Sequence, residues 1–156
     1  MAHDDTIDQL NQLVHINKDG ESGFLTAAEN IKNSELETLF RGYSQQHAKF
    51  ASELQQEIKR LGGDFADSGT LGGAIHRGWL DVKSALSGHS AAAILKSCES
   101  GEESAMVSYD RAADDNPTGQ TNALLEKHRR QIKEFHTRLC RLISETKDGV
   151  DFQKNE

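Results

Sequence analysis

Residues 7–31 read IDQLNQLVHINKDGESGFLTAAENI. Apolar side chains recur at Ile7, Leu10, Val14, Phe24, Ala28 and Ile31. Steps of three and four trace one stripe along an α-helix, whereas a strand would alternate. Two polar residues, Asn17 and Glu21, fall where the same spacing demands an inward side chain. A carboxylate on a buried seam is costly unless it is protonated, paired or metal-bound. Gly20 and Gly23 flank Glu21, and each costs about 1 kcal/mol against alanine inside a helix. Their presence points to a close backbone approach at this level rather than to a break.

The rest of the chain repeats the pattern. Thr6 with Gln9 makes a capping box that opens the first helix. Ser34 with Glu37 opens a second one, with the seam Leu36, Leu39, Tyr43, Gln46 or His47, Phe50, Leu54, Ile58 and Leu61, ended by Gly62-Gly63. The two helices are joined by two or three residues and form an antiparallel hairpin. A connector follows, in which Thr70 caps a short helix with Leu71, Ile75, Trp79, Val82 and Leu86 on one face. Ser90 caps the third long helix, with the seam Ala91, Leu95, Cys98, Glu102, Ala105, Tyr109 and Ala112. Asn116 and Pro117 restart the chain as cap and first helical residue. The last helix runs to about Lys147, with Leu124, His128, Gln131, Phe135, Leu139 and Leu142 inward.

Length decides the topology. The second helix is about 40 Å long at 1.5 Å per residue. A connector of about 16 helical residues plus about a dozen extended ones spans a similar distance. It can return the chain along the whole bundle, so the second and third long helices run parallel. The expected fold is an all-α, ferritin-like four-helix bundle with a short helix in its long crossover. Residues 1–148 form one domain and 149–156 a flexible tail.

Composition narrows the function. A chain of 156 residues can bury a sizeable single core. No run of apolar residues is long enough to span a membrane, and Met1 to Asp8 has no signal-peptide core, so the expected location is the cytoplasm. Cys98 and Cys140 are too few for a disulfide framework. A net charge of -7 argues against general nucleic-acid binding. The basic residues Lys127, Arg129, Arg130, Lys133, Arg138 and Arg141 therefore read as a solvated face pairing with the acidic first helix.

The two halves are alike. Gly20-Glu21 matches Gly101-Glu102, and Leu39, Gln46, Phe50 and Leu54 match Leu124, Gln131, Phe135 and Leu139 at a constant offset. This register places Glu21, Gln46, Glu102 and Gln131 near one level of the core. The chain also resembles an uncharacterised, mainly proteobacterial family of ferritin-like four-helix-bundle proteins, a domain-of-unknown-function family. The resemblance lies in Lys18-Asp19-Gly20-Glu21, Leu61-Gly62-Gly63, His76-Arg77-Gly78-Trp79 with Asp81 and Lys83, and Cys98-Glu99-Ser100-Gly101-Glu102. It implies the fold and carries no agreed activity.

Ferritin-like di-iron bundles use one Glu from each of two helices and Glu-x-x-His from each of the others. Glu21 and Glu102 fit the first pair, but no His here follows a Glu by three residues. The preferred reading is a non-enzymatic protein with a polar core layer of Glu21, Gln46, Glu102, Gln131 and Tyr43, holding helix register. It has no cofactor and works through self-association or a protein partner, and a stress-related role follows by analogy of fold. The alternatives are weakly bound iron or manganese at Glu21, Glu102, His47 and His128, and a protein- or nucleic-acid-binding module using His76, Arg77 and the basic face of the last helix.

Overall fold

The computed structural model describes residues 2–64 and 90–147, with side chains for residues 5–64 and 90–146. Four helices make up this part: α1 (Ala2–Asn30), α2 (Ser34–Arg60), α3 (Ala91–Asp115) and α4 (Gly119–Lys147). No strand occurs among the described residues. The expected connector helix, with His76, Arg77 and Trp79, and the expected C-terminal tail fall outside the described residues.

Cross-helix hydrogen bonds fix the directions. Thr6 meets Asn116 and Asn17 meets Tyr109, so α1 and α3 are antiparallel. Gln46 meets Gln131 and Glu57 meets Thr121, so α2 and α4 are antiparallel. With α1 and α2 joined by a tight turn, α2 and α3 run in the same direction across a diagonal of the bundle. The other diagonal separates α1 from α4.

The caps follow local chemistry, with shifts of a few residues from the sequence reading. α1 starts at Ala2, and the Thr6 hydroxyl donates to Asn116 Oδ1 at 2.9 Å instead of opening the helix. Asn33 rather than Ser34 caps α2, its side chain accepting from the Leu36 amide. Ser90 caps α3 as expected. Asn116 closes α3 instead of opening α4, which begins at Gly119. Gly62 ends α2 at φ 85, its amide donating to the Lys59 carbonyl while Gly63 donates to Ile58. That pair of bonds closes a helix with a left-handed residue, which glycine adopts without steric cost.

Two apolar clusters fill the bundle. One holds Leu10, Val14, Phe50, Leu54, Leu125 and Ile132, and the other Phe24, Leu36, Phe40, Leu95, Cys98 and Leu139. Phe24, Phe40 and Phe50 are fully buried, each worth about 1.5–3 kcal/mol in apolar burial. All seven seam residues expected on α3, Glu102 included, are buried. On α4 the inward row is Leu125, His128, Ile132 and Leu139, so Leu124 and Gln131 stand at its margin.

Candidate functional site

Between the two clusters the core turns polar. His47 on α2 is fully buried, stacked against Phe24 and edge-on to Phe50. Its ring lies on the backbone of α1 at Gly20. A Cβ at residue 20 would stand 2.9 Å from His47 Cγ. Glycine is therefore what admits the imidazole, the close approach that the Gly20–Gly23 spacing predicts. Gly20→Ala is expected to destabilise the fold by about 1–3 kcal/mol through overpacking, although alanine is the better helix former by about 1 kcal/mol. Thermal or denaturant melts check the sign.

Both ring nitrogens of His47 are taken. Nδ1 lies 2.8 Å from Asn17 Oδ1 and Nε2 lies 2.5 Å from Glu102 Oε1. Asn17, wholly buried on α1, gives its amide hydrogens to the Leu13 carbonyl and to the Tyr109 hydroxyl, each at 2.8 Å. Tyr109 lies 2.8 Å from His128 Nδ1, and His128 Nε2 lies 2.9 Å from Glu53 Oε1. Lys127 closes the series on Glu53 Oε2 at 2.9 Å. A single string of hydrogen bonds thus runs from the fully buried Glu102 to Glu53, whose side chain is 24% exposed.

The string has a direction, set by its one unambiguous donor. Asn17 donates to Tyr109, so the tyrosine hydroxyl must hand its own proton to His128 Nδ1. His128 then carries its proton on Nε2 and gives it to the Glu53 carboxylate. In the other direction Asn17 Oδ1 accepts, so His47 is protonated at Nδ1. One further proton lies between His47 Nε2 and Glu102 Oε1. The second oxygen, Glu102 Oε2, is buried with no hydrogen-bond partner among the described residues.

The surroundings set the acid–base character. Burial pulls the His128 imidazole down to about 4, against the opposing pull of Glu53. The ring is neutral at pH 7, as the donor direction requires. Burial works against the Glu53 carboxylate, but hydrogen bonds from Lys127 and His128 outweigh it and hold its pKa below the ordinary glutamate value. Burial drives the Tyr109 phenol and the Cys98 thiol far upward. Cys98 is therefore an inert core thiol.

Several expected site residues stand elsewhere. Glu21 is only half-buried, and its backbone carbonyl, not its carboxylate, is held by the Ser44 hydroxyl at 2.8 Å. Gly20 takes the inward position in its place. Gln46 and Gln131 do meet, as the internal repeat predicts, but at the half-buried rim between α2 and α4. They border a groove of about 640 Å³ with Tyr43 and Phe135. Tyr43 stacks on Phe135 at 4.1 Å, and burial pushes its phenol up to about 12. It stands outside the string. Glu102, His47 and His128 are in the core as expected, joined there by Asn17, Tyr109 and Glu53. Two of the basic residues of α4 pair with helices other than α1. Lys127 pairs with Glu53 on α2, and Arg129 with Asp110 on α3 and Glu126 on its own helix.

No curated protein matches the chain. Residues 5–115, from α1 to the end of α3, match the family model described as Domain of unknown function (DUF2383). That span holds Asn17, His47, Glu53, Glu102 and Tyr109, while His128 lies beyond it on α4. The chain belongs to this family, whose defining region contains most of the buried polar string.

Proposed function

We propose that this is a ferritin-like helical-bundle protein without an active site in its core, working through its surface on a second copy or a protein partner. One observation carries this reading: His47 and His128 have no ring nitrogen to spare. A histidine binds a metal through a nitrogen lone pair, and to free one here would strip a buried partner of its hydrogen bond with no third ligand, among the described residues, close enough to share the ion. Here each nitrogen gives or takes a hydrogen bond with Asn17, Glu102, Tyr109 or Glu53. The parallel course of α2 and α3 supports the one-crossover connection of ferritin-like bundles. Where those bundles hold metal, this core holds a string of hydrogen bonds that locks helix register. No helix among the described residues is long and apolar enough to cross a membrane, in keeping with a cytoplasmic location. His76 and Arg77 remain proposed partner contacts, and a stress-related role rests on analogy of fold.

Aerobic oxidation of ferrous iron tests the proposal. Added protein is expected to leave the rate at its buffer value, and Glu102→Gln to change nothing. A protein-dependent rate that falls in Glu102→Gln overturns the reading.

A second reading, an iron or manganese site of degenerate carboxylates, has one atom in its favour, the unpartnered Glu102 Oε2. A single oxygen is a poor cage for a hard cation, which takes about six oxygen-rich ligands. Glu21 does not supply the missing carboxylate.

A further inference from the structure

We propose that Glu99, His136 and Cys140 form a binding site for a divalent transition-metal ion of the zinc class, clamping α4 to α3. His136 and Cys140 are four residues apart on α4, one turn, so their side chains project from the same face. Glu99 approaches them from α3. His136 Nε2 lies 3.0 Å from Glu99 Oε1, and Cys140 Sγ lies 4.0 Å from that oxygen and 3.9 Å from each ring nitrogen. A tetrahedral zinc ion with bonds of about 2.0–2.3 Å holds its ligand atoms roughly 3.4–3.6 Å apart. The three atoms need move by only about half an ångström to meet that spacing.

The donor chemistry agrees. Sulfur, imidazole nitrogen and carboxylate oxygen are the three ligand types of protein-bound zinc, and three protein ligands leave a fourth position for water. Among the described residues these three form the one group of histidine, cysteine and carboxylate ligands close enough to share an ion. Glu99 and His136 side chains are 21% and 19% exposed, and Cys140 is exposed, so an ion can enter from solvent. Glu103, one turn beyond Glu99 on α3, adds negative charge that acts on Cys140. All three ligands sit on helices rather than loops, which holds their spacing before the ion arrives.

This site is independent of the core string. His136 bonds Glu99, not Glu102 or His47, and among the described residues Glu99 has no bond to any member of the string. Metal binding here and an inert core can therefore both hold, and different variants report on each.

The test is cobalt titration of the untagged, reduced full-length chain, followed by displacement with zinc. One cobalt per chain is expected, with the near-ultraviolet charge-transfer absorption of a sulfur–cobalt bond, abolished by zinc. C140S should remove that absorption, and H136Q and E99Q should each weaken binding at least tenfold. E102Q should leave it unchanged. Zinc should raise the melting midpoint of the parent but not of C140S, because an ion bound only by the folded state stabilises it. Glu99 and His136 are partly exposed and Cys140 is exposed, so circular dichroism is expected to match the parent in E99Q, H136Q and C140S. Absence of the sulfur–cobalt absorption in the parent overturns the proposal. So does binding that C140S or H136Q leaves at parental strength, which places the ion elsewhere.

Discussion

Glu102→Leu is expected to destabilise the protein by about 3–5 kcal/mol, the cost of removing one partner from a buried hydrogen-bonded pair. Leucine replaces the carboxylate at similar volume, so cavity formation contributes little. What remains is His47 Nε2, packed among Phe24, Phe50 and Phe135 without the partner it had. His47→Phe alone leaves the Glu102 carboxyl in the same position. The double variant His47→Phe with Glu102→Leu removes both ends of the bond, and its cost should fall short of the sum by about 2 kcal/mol. It does not return to the parent, because Asn17 Oδ1 loses its donor. Urea melts of the four proteins give the cycle. Strict additivity would mean that the 2.5 Å contact contributes nothing.

The same pair shows what can be read from sequence. The helices, the tight hairpin of α1 and α2 and the whole inward row of α3 follow from apolar spacing, since burial of one face is what makes an amphipathic helix stable in water. Glu102 is legible for that reason: it interrupts an otherwise apolar row. Glu21 has the same spacing and is not buried. A strict seven-residue seam drifts by about 20° per heptad on a straight helix, and Gly20 draws the His47 ring onto its own backbone. The inward direction therefore belongs to residue 20. Asn17 is visible as a polar interruption, but its partners His47 and Tyr109 come from other helices, and no local pattern announces such pairings. Gln46 and His47 are neighbours on one helix, and periodicity alone does not choose between them. The structure gives the core to His47 and the rim to Gln46. The Glu99, His136 and Cys140 group carries half a signal in sequence, His and Cys at four-residue spacing. The third ligand depends on the packing of α3 against α4.

Acid should unfold this protein through His128. Its folded pKa is about 4, lowered first by burial, against about 6.5 for an unfolded histidine. Between these values the unfolded chain holds the extra proton, so stability rises with pH. The contribution is fully present above pH 6.5 and is lost as pH falls towards 4. At 1.36 kcal/mol per pH unit the span is worth about 3 kcal/mol. Hydrogen bonding explains why the core resists that proton. A second hydrogen on Nδ1 would face the Tyr109 hydroxyl, which already accepts from Asn17 and has no other acceptor for its own proton. Protonation therefore breaks the string at its centre. Glu53 adds to the loss only at lower pH, since its folded pKa lies below the ordinary carboxylate value. Phenylalanine at 128 would keep the stacking on Phe50, now at 4.1 Å, but cannot titrate. His128→Phe is expected to cost stability at pH 7, where Tyr109 and Glu53 lose a partner, and to flatten the pH dependence between 6.5 and 4. Urea melts of both proteins across that range decide the matter. A parent whose stability does not change through the window, or a variant with the parent's slope, would assign the acid sensitivity to other groups.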